Sequence, residues 1–161
     1  MRIKNEKLNV LDERITRWMV ANGLYLLRIS MGIIFLWFGA LKFFEGMSPA
    51  QDLAIRTIEM ITFDLISAKV IIFILALWEV VIGIGLLLNI YLRITLLLLF
   101  LQMLGTFTPL FFFPEETFEI IPYALTMEGQ YIIKNFIIVS AAIVLGATVR
   151  GGKLTAGKEH S

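Results

Sequence analysis

Four apolar stretches divide the chain, and each is long enough to cross a membrane as a helix. About 20 helical residues span the ~30 Å hydrocarbon layer of a bilayer. The stretches are roughly twice as long as a membrane β-strand and show no strict alternation of apolar and polar residues. The pattern therefore predicts an all-α integral membrane protein, a four-helix bundle. Its spans are residues 24–44, 68–88, 92–113 and 130–149.

The polar segments between the spans indicate how the helices connect. Asn89–Tyr91 is so short that spans two and three must form an antiparallel hairpin. Ser48 and Pro49 are typical of a helix start, because serine caps helices and proline tolerates the first helical position. We therefore expect a short extracytoplasmic helix within residues 48–66, acting either as a lid over the bundle or as a plain connector. Pro109 lies inside span three and should kink it or end its regular part.

The N-terminal segment combines basic residues with an apolar stripe. Apolar residues recur there at spacings of three and four, at Leu8, Leu11, Ile15 and Trp18. This pattern favours an amphipathic helix lying in the membrane interface, and a frayed charged tail is the alternative. The predicted organisation is a cytoplasmic interfacial segment at 1–22, a four-span domain at 23–150 and a cytoplasmic tail at 151–161.

Lysine and arginine are distributed unevenly between the two sides of the predicted bundle. One side collects the five basic residues of the N-terminal segment with Arg93, Arg150, Lys153 and Lys158. The other side has Arg56 and Lys69, with Lys42 and Lys134 at its edge. Loops rich in lysine and arginine remain in the cytoplasm, so both termini are expected to be cytoplasmic.

Composition narrows the classes of function. Of the 161 residues, 58% are hydrophobic and 17% are charged, against about 45–50% and about 25% in soluble domains. A net charge of +1 gives no basis for binding nucleic acid. The chain has no cysteine, and its one histidine is His160, so thiol chemistry is excluded and no metal site is expected.

Several polar residues lie inside the predicted spans, where each charge costs about 2.5–3.5 kcal/mol on insertion scales. Side chains tilt toward the N-terminus of their helix, so Lys42 on span one and Glu79 on the oppositely directed span two lean toward each other. Gln102 and Thr106 on span three would line the same region. These four residues are the predicted buried polar or ligand-binding site. A structural ion pair, or a lone protonated Glu79, is the alternative.

A second set of polar residues is not assigned to this site. It consists of Arg28, Glu128, Lys134 and Asn135. Arg28 should lean toward the cytoplasm and Lys134 toward the outside, so that both reach water.

Glycines at positions 32, 39, 83 and 105 remove side-chain volume from the inward stripes, close to the polar residues. They predict a pocket for a small molecule or lipid headgroup, roofed by the short helix and by the aromatic loop 111–123. The alternative is that the glycines only allow close helix contact and leave no cavity.

Several segments resemble the DoxX-like family of small four-span membrane proteins. They are Arg28–Gly32, Trp37–Phe43 and Glu79–Leu88, the last followed by Arg93. Thr106–Leu110 and Glu128–Asn135 are similar to the branch that contains the inner-membrane protein of a bacterial reactive-chlorine-resistance system. The resemblance covers about residues 24–150, and it implies a bacterial inner-membrane protein. It places Arg28, Lys42, Glu79, Glu128 and Lys134 at the family's polar positions and assigns no catalytic residue.

Relatives in this family are linked to quinone-dependent oxidation of thiosulfate or to membrane assemblies that resist oxidative stress. The first hypothesis is therefore a quinone- or lipid-binding accessory subunit, with Lys42, Gln102 and Thr106 as hydrogen-bond donors. Such a subunit would need a partner protein or a bound cofactor to turn over, and it is not expected to be an enzyme on its own. The second is a non-enzymatic assembly protein that binds other membrane proteins or copies of itself, and the third is a small transporter or channel.

Overall fold

The computed structural model describes residues 2–44, 46–48 and 50–154. Pro49, Lys158 and His160, which contributed to the sequence predictions, lie outside these residues. Among the described residues, four helices are long and apolar enough to cross a bilayer, which confirms the predicted four-span, all-α membrane fold. The elements are α1 (Arg2–Leu41), α2 (Gln51–Ile61), α3 (Ala68–Leu88), α4 (Leu92–Phe107), α5 (Pro109–Phe112), α6 (Pro114–Thr117), β1 (Phe118–Ile120), β2 (Ala124–Leu125) and α7 (Met127–Thr148).

Helix α1 is 40 residues long and continues from the N-terminal segment into the first span without a break. The expected helix of residues 1–22 is thus present from Arg2 onward, but it is not a separate element. Asn22 and Gly23 do not end the helix, because the Asn22 side-chain amide donates to the Trp18 carbonyl oxygen within the helix at 2.9 Å. At 1.5 Å per residue the helix is about 60 Å long, twice the thickness of the hydrocarbon layer.

Helices α1 and α3 pack backbone against backbone, with glycines at the contact. A Cβ atom added at Gly83 would lie 2.5 Å from the Leu36 backbone nitrogen. One added at Gly39 would lie 2.8 Å from Glu79 Cβ, and Gly32 abuts the Leu87 side chain. Close contact, which was the alternative interpretation of the glycines, therefore applies to these three positions.

The core occupies one half of the bundle, on the side of the Asn89–Tyr91 turn, which we call the turn side. It contains apolar residues from all four spanning helices: Met31, Phe35, Ile82, Leu86, Leu96, Leu99, Met103, Ala141, Ala142 and Leu145. Leu86 and Leu99 are fully buried. The helices therefore close tightly on the turn side.

The opposite side of the bundle, the loop side, carries α2 and residues 109–126. Helix α2 begins at Gln51 after Ala50, which has a positive φ of 53°. The helix predicted within 48–66 is thus present, but Ser48 is not its cap. Helix α4 ends at Phe107 and Pro109 begins α5, as predicted for a proline at this position.

A short antiparallel hairpin, which the sequence did not predict, links α6 to α7. It pairs β1 with β2, with Phe118 opposite Leu125. The hydroxyl of Thr126 then accepts from the Gly129 backbone amide at 3.1 Å and donates to the Glu116 carbonyl oxygen at 2.6 Å. Thr126 therefore caps α7 and fastens α6 to its N-terminus.

We expect Gly83→Ala to destabilise the protein, because the new methyl group would collide with the Leu36 backbone, which cannot move aside as a side chain can. Overpacking of this kind costs about 1–3 kcal/mol. Gly105→Ala is the matched control, since a Cβ there has no neighbour within 4 Å. Thermal unfolding in detergent measures both, and equal destabilisation would contradict the helix contact described here.

Candidate functional site

Three polar side chains from three parts of the bundle, those of Lys42, Glu79 and Gln102, meet in one place. Lys42 Nζ donates to Glu79 Oε2 at 2.7 Å, and Gln102 Nε2 donates to Glu79 Oε1 at 2.9 Å. The side chains of Lys42 and Glu79 are only 12% and 13% exposed. The contact predicted between Lys42 and Glu79 is therefore present, and Gln102 completes what we call the polar centre.

The glycine contact between α1 and α3 positions this centre. Gly39 lies against the base of the Glu79 side chain. Lys42 follows three residues later, in the turn where its backbone amide donates to the Gly39 carbonyl oxygen at 3.2 Å. One turn of helix separates the close contact from the lysine, so the ammonium group reaches the carboxylate across a short distance.

A cavity of about 500 Å³ lies beside the polar centre, between the loop-side halves of α1, α3, α4 and α7. Most of its wall is aliphatic or aromatic, including Phe35, Phe38 and Trp78. Polar residues of the wall include the polar centre, Thr106 and Asn135, and also Ser48, Thr57, Thr108 and Tyr131. Gly105 also lines it and faces open space, unlike the three glycines at the α1–α3 contact.

Helix α2 covers the cavity on the loop side, through Leu53, Ala54, Thr57, Ile58 and Ile61. The short helix thus lies where a lid was predicted. The aromatic loop 111–123, predicted as the second part of the roof, does not line the cavity. Its residues instead contact the edge of α2, where Glu116 pairs with Arg56 and the Phe113 ring lies 5.5 Å from the Arg56 guanidinium.

The hydroxyl of Thr106 and the amide of Asn135 both bond within their own helices. Thr106 Oγ1 donates to the Gln102 carbonyl oxygen at 2.9 Å, and Asn135 Nδ2 donates to the Tyr131 carbonyl oxygen at 3.1 Å. Both residues line the cavity. Asn135, placed in the second set by the sequence, therefore shares a wall with the predicted site.

Arg28 lies far from the polar centre, on the turn side. Its guanidinium donates to the carbonyl oxygens of Leu86 and, at 3.2 Å, of Leu87. This side chain was expected to lean toward the cytoplasm and reach water; it is partly exposed and binds the end of α3. The last carbonyls of a helix have no partner inside it and carry partial negative charge, which attracts a cation.

Lys134 and Glu128 are exposed on α7 and do not join the site. The Lys134 ammonium lies 5.5 Å from the centre of the Tyr131 ring, one turn toward the loop side, in the direction predicted from side-chain tilt. Glu128 occupies the first turn of α7, where a negative charge stabilises the helix N-terminus.

Trp78 is a cavity residue that the sequence analysis missed. Its indole Nε1 donates to the Leu98 carbonyl oxygen at 3.1 Å, which ties α3 to α4 beside the polar centre. The feature of the sequence that could have identified Trp78 is its depth in the span. Tryptophan in membrane proteins concentrates at the two interfaces, and this one lies mid-span next to a carboxylate.

We expect Lys42→Met and Glu79→Gln each to destabilise the protein by about 3 kcal/mol, because each leaves its partner charge buried and unpaired. The double variant contains neither charge and should recover most of the loss. Unfolding in detergent completes this double-mutant cycle, with Lys134→Met as the exposed control. If the loss of stability in the double variant equals the sum of the two single losses, the two side chains are not coupled.

A comparison with known proteins places this arrangement in a family. No curated protein and no solved structure matches the chain. The DoxX family model matches residues 23–113, which is more than half of the chain and includes the whole polar centre. The chain is therefore a multi-pass membrane protein that belongs to the DoxX family.

Proposed function

We propose that the protein binds the headgroup of a quinone or a similar amphiphile in the cavity, as an accessory subunit of a membrane redox or oxidative-stress-resistance system. The observation that carries this proposal is a cavity of about 500 Å³ inside a membrane bundle, apolar over most of its wall and polar at Glu79. Ligand sites commonly have volumes of about 300–1,000 Å³ and combine apolar walls with a few polar groups.

Hydrogen-bond chemistry favours a neutral headgroup with carbonyl oxygens. An ammonium group has three N–H donors and a primary amide has two, and Glu79 accepts one from Lys42 and one from Gln102. The remaining donors of both groups suit a carbonyl acceptor. An anionic headgroup is disfavoured, because Glu79 already balances the charge of Lys42.

Aromatic side chains in the wall support a ring-shaped headgroup. Phe35, Phe38 and Trp78 line the cavity, and aromatic rings pack well against one another in offset or edge-on arrangements.

We further propose that the protein presents this ligand to a partner protein and is not an enzyme on its own. The chain has no cysteine, so its own side chains provide no thiol–disulfide couple to exchange electrons with a quinone. What they do provide is binding and orientation.

Quinone binding is testable through Trp78, because quinones quench tryptophan fluorescence and this tryptophan lines the cavity. The chain has three tryptophans, so Trp18→Phe with Trp37→Phe leaves Trp78 as the sole reporter. We expect saturable quenching by a short-chain benzoquinone in detergent. Gly105→Leu, which fills the cavity, and Gln102→Leu, which removes a donor, should each weaken binding about tenfold.

Leu104→Phe is the matched control, since Leu104 is exposed beside Gly105 and is not a cavity residue. Quenching that does not saturate, or that is equal in the Gly105 and Leu104 variants, would reflect partition into the micelle and would refute the site. Mass spectrometry of an organic extract of the purified protein identifies a co-purified quinone or phospholipid directly.

We propose that the protein lies in the bacterial inner membrane with both termini in the cytoplasm. The support is the excess of lysine and arginine on the side that includes Arg93 and Arg150, against Arg56 and Lys69 on the loop side. An even number of spans also places the two ends on the same side.

Reporter fusions test this orientation. Alkaline phosphatase should be active when fused after Tyr123, which is exposed between β1 and β2, and inactive when fused after Lys158. Green fluorescent protein should show the reverse. A fusion at Asn89, in the exposed turn between α3 and α4, should behave like the C-terminal fusion, and opposite results there would overturn the topology.

A further inference from the structure

We propose that α2 is a movable lid whose closure over the cavity is controlled by the ion pair between Arg56 and Glu116. The inference rests on the proposed function, since it concerns access to the same cavity. It adds an entry route for the ligand, which passes by the loop side rather than sideways between the helices. It also adds a pair of residues that regulates access by this route.

One face of α2 is buried and covers the cavity. Leu53 and Thr57 are 4% and 2% exposed and lie on adjacent turns of that face. Displacing α2 would therefore open the cavity toward the loop side, with no change in the contacts between the spanning helices.

The contacts that hold α2 are few and come from two directions. Helix α2 packs against α3 and against α5. The described residues on either side of α2 form turns and extended chain, with positive φ at Gly46 and Ala50 before it and at Phe63 and Asp64 after it. The helix is thus joined to α1 and α3 by turn segments that lie outside the spanning helices.

Arg56 fastens this helix to the outer loop. Its guanidinium donates to both carboxylate oxygens of Glu116, with Nη1 2.7 Å from Oε1, and it also lies over the Phe113 ring. We call this ion pair the latch. The hydrogen bond with Glu116 raises the pKa of Arg56, so the guanidinium stays charged.

The far end of the latch is fixed. Thr126 Oγ1 donates to the Glu116 carbonyl oxygen, and the same hydroxyl caps α7. Glu116 is therefore anchored to a spanning helix, whereas Arg56 belongs to the helix that can move.

Exposure makes this a latch that opens rather than a permanent bond. The Arg56 and Glu116 side chains are 48% and 38% exposed. Ion pairs at such exposure contribute modestly to stability and weaken as salt screens them. Loss of this pair removes one of the contacts that hold α2 in the closed position, at a cost small enough to be reversible.

Cysteine accessibility measures the lid directly and needs no ligand. The chain has no native cysteine, so Ile132→Cys places one thiol on the wall of the cavity, where Ile132 is buried. We expect Arg56→Gln and Glu116→Gln each to raise its labelling rate by a membrane-impermeant maleimide about threefold to fivefold. The exchanged pair, Arg56→Glu with Glu116→Arg, should return the rate to that of the unaltered latch.

Glu115→Gln is the matched control, since Glu115 is an exposed carboxylate beside Glu116 and should leave the rate unchanged. Tyr123→Cys, exposed on the hairpin, reports the reactivity of a thiol outside the lid, and the unfolding temperature of each variant shows that it is folded. High salt should speed labelling with the latch intact and have little effect in Arg56→Gln.

Unchanged labelling in both latch variants, an equal rise in Glu115→Gln, or no restoration by the exchanged pair would overturn the lid. The lid proposal and the ligand proposal can be refuted independently of each other. Latch-controlled labelling without saturable quenching of Trp78 would retain the lid and refute quinone binding. Quenching with latch-independent labelling would retain the ligand and indicate entry from the lipid.

Discussion

The close approach of α1 and α3 is the constraint on which the site depends. Gly83 leaves room for the Leu36 backbone, and Gly39 leaves room for the base of Glu79. With ordinary side chains at these positions the two helices would stand farther apart, and Lys42 would have farther to reach to the carboxylate. A packing contact of the backbone thereby sets the position of a charged group.

The bundle is dense at one end and hollow at the other. On the turn side, core residues from all four spanning helices interlock, and Arg28 binds the end of α3. On the loop side the spanning helices contribute a polar centre, and Gly105 adds no volume to the space beside it. A short helix then completes what the spanning helices leave open, so the cavity depends on a segment outside the membrane-crossing core.

Features set by local geometry could be predicted from the sequence, and features set by distances between helices could not. The spans follow from uninterrupted apolar residues, and the contact of Lys42 with Glu79 follows from the opposite tilt of side chains on antiparallel helices. Gly83 and Gly105 lie on similar inward stripes, yet one touches a neighbouring backbone and the other faces open space. Arg56 and Glu116 lie 60 positions apart, so their pairing exists only once the chain has folded. The ligand-binding role of the site stays a prediction.

The unbroken length of α1 has a mechanical consequence. Its N-terminal apolar residues and the glycine contact with α3 belong to one unbroken helix, so a tilt of its N-terminal part would be carried to that contact. Because α1 and α3 touch through their backbones at Gly39 and Gly83, they tilt as a unit. When the bilayer becomes thinner or thicker, the contacts that would change are those of this helix pair with α4 and α7. These contacts surround the cavity. A tilt of this pair would therefore change the shape of the cavity.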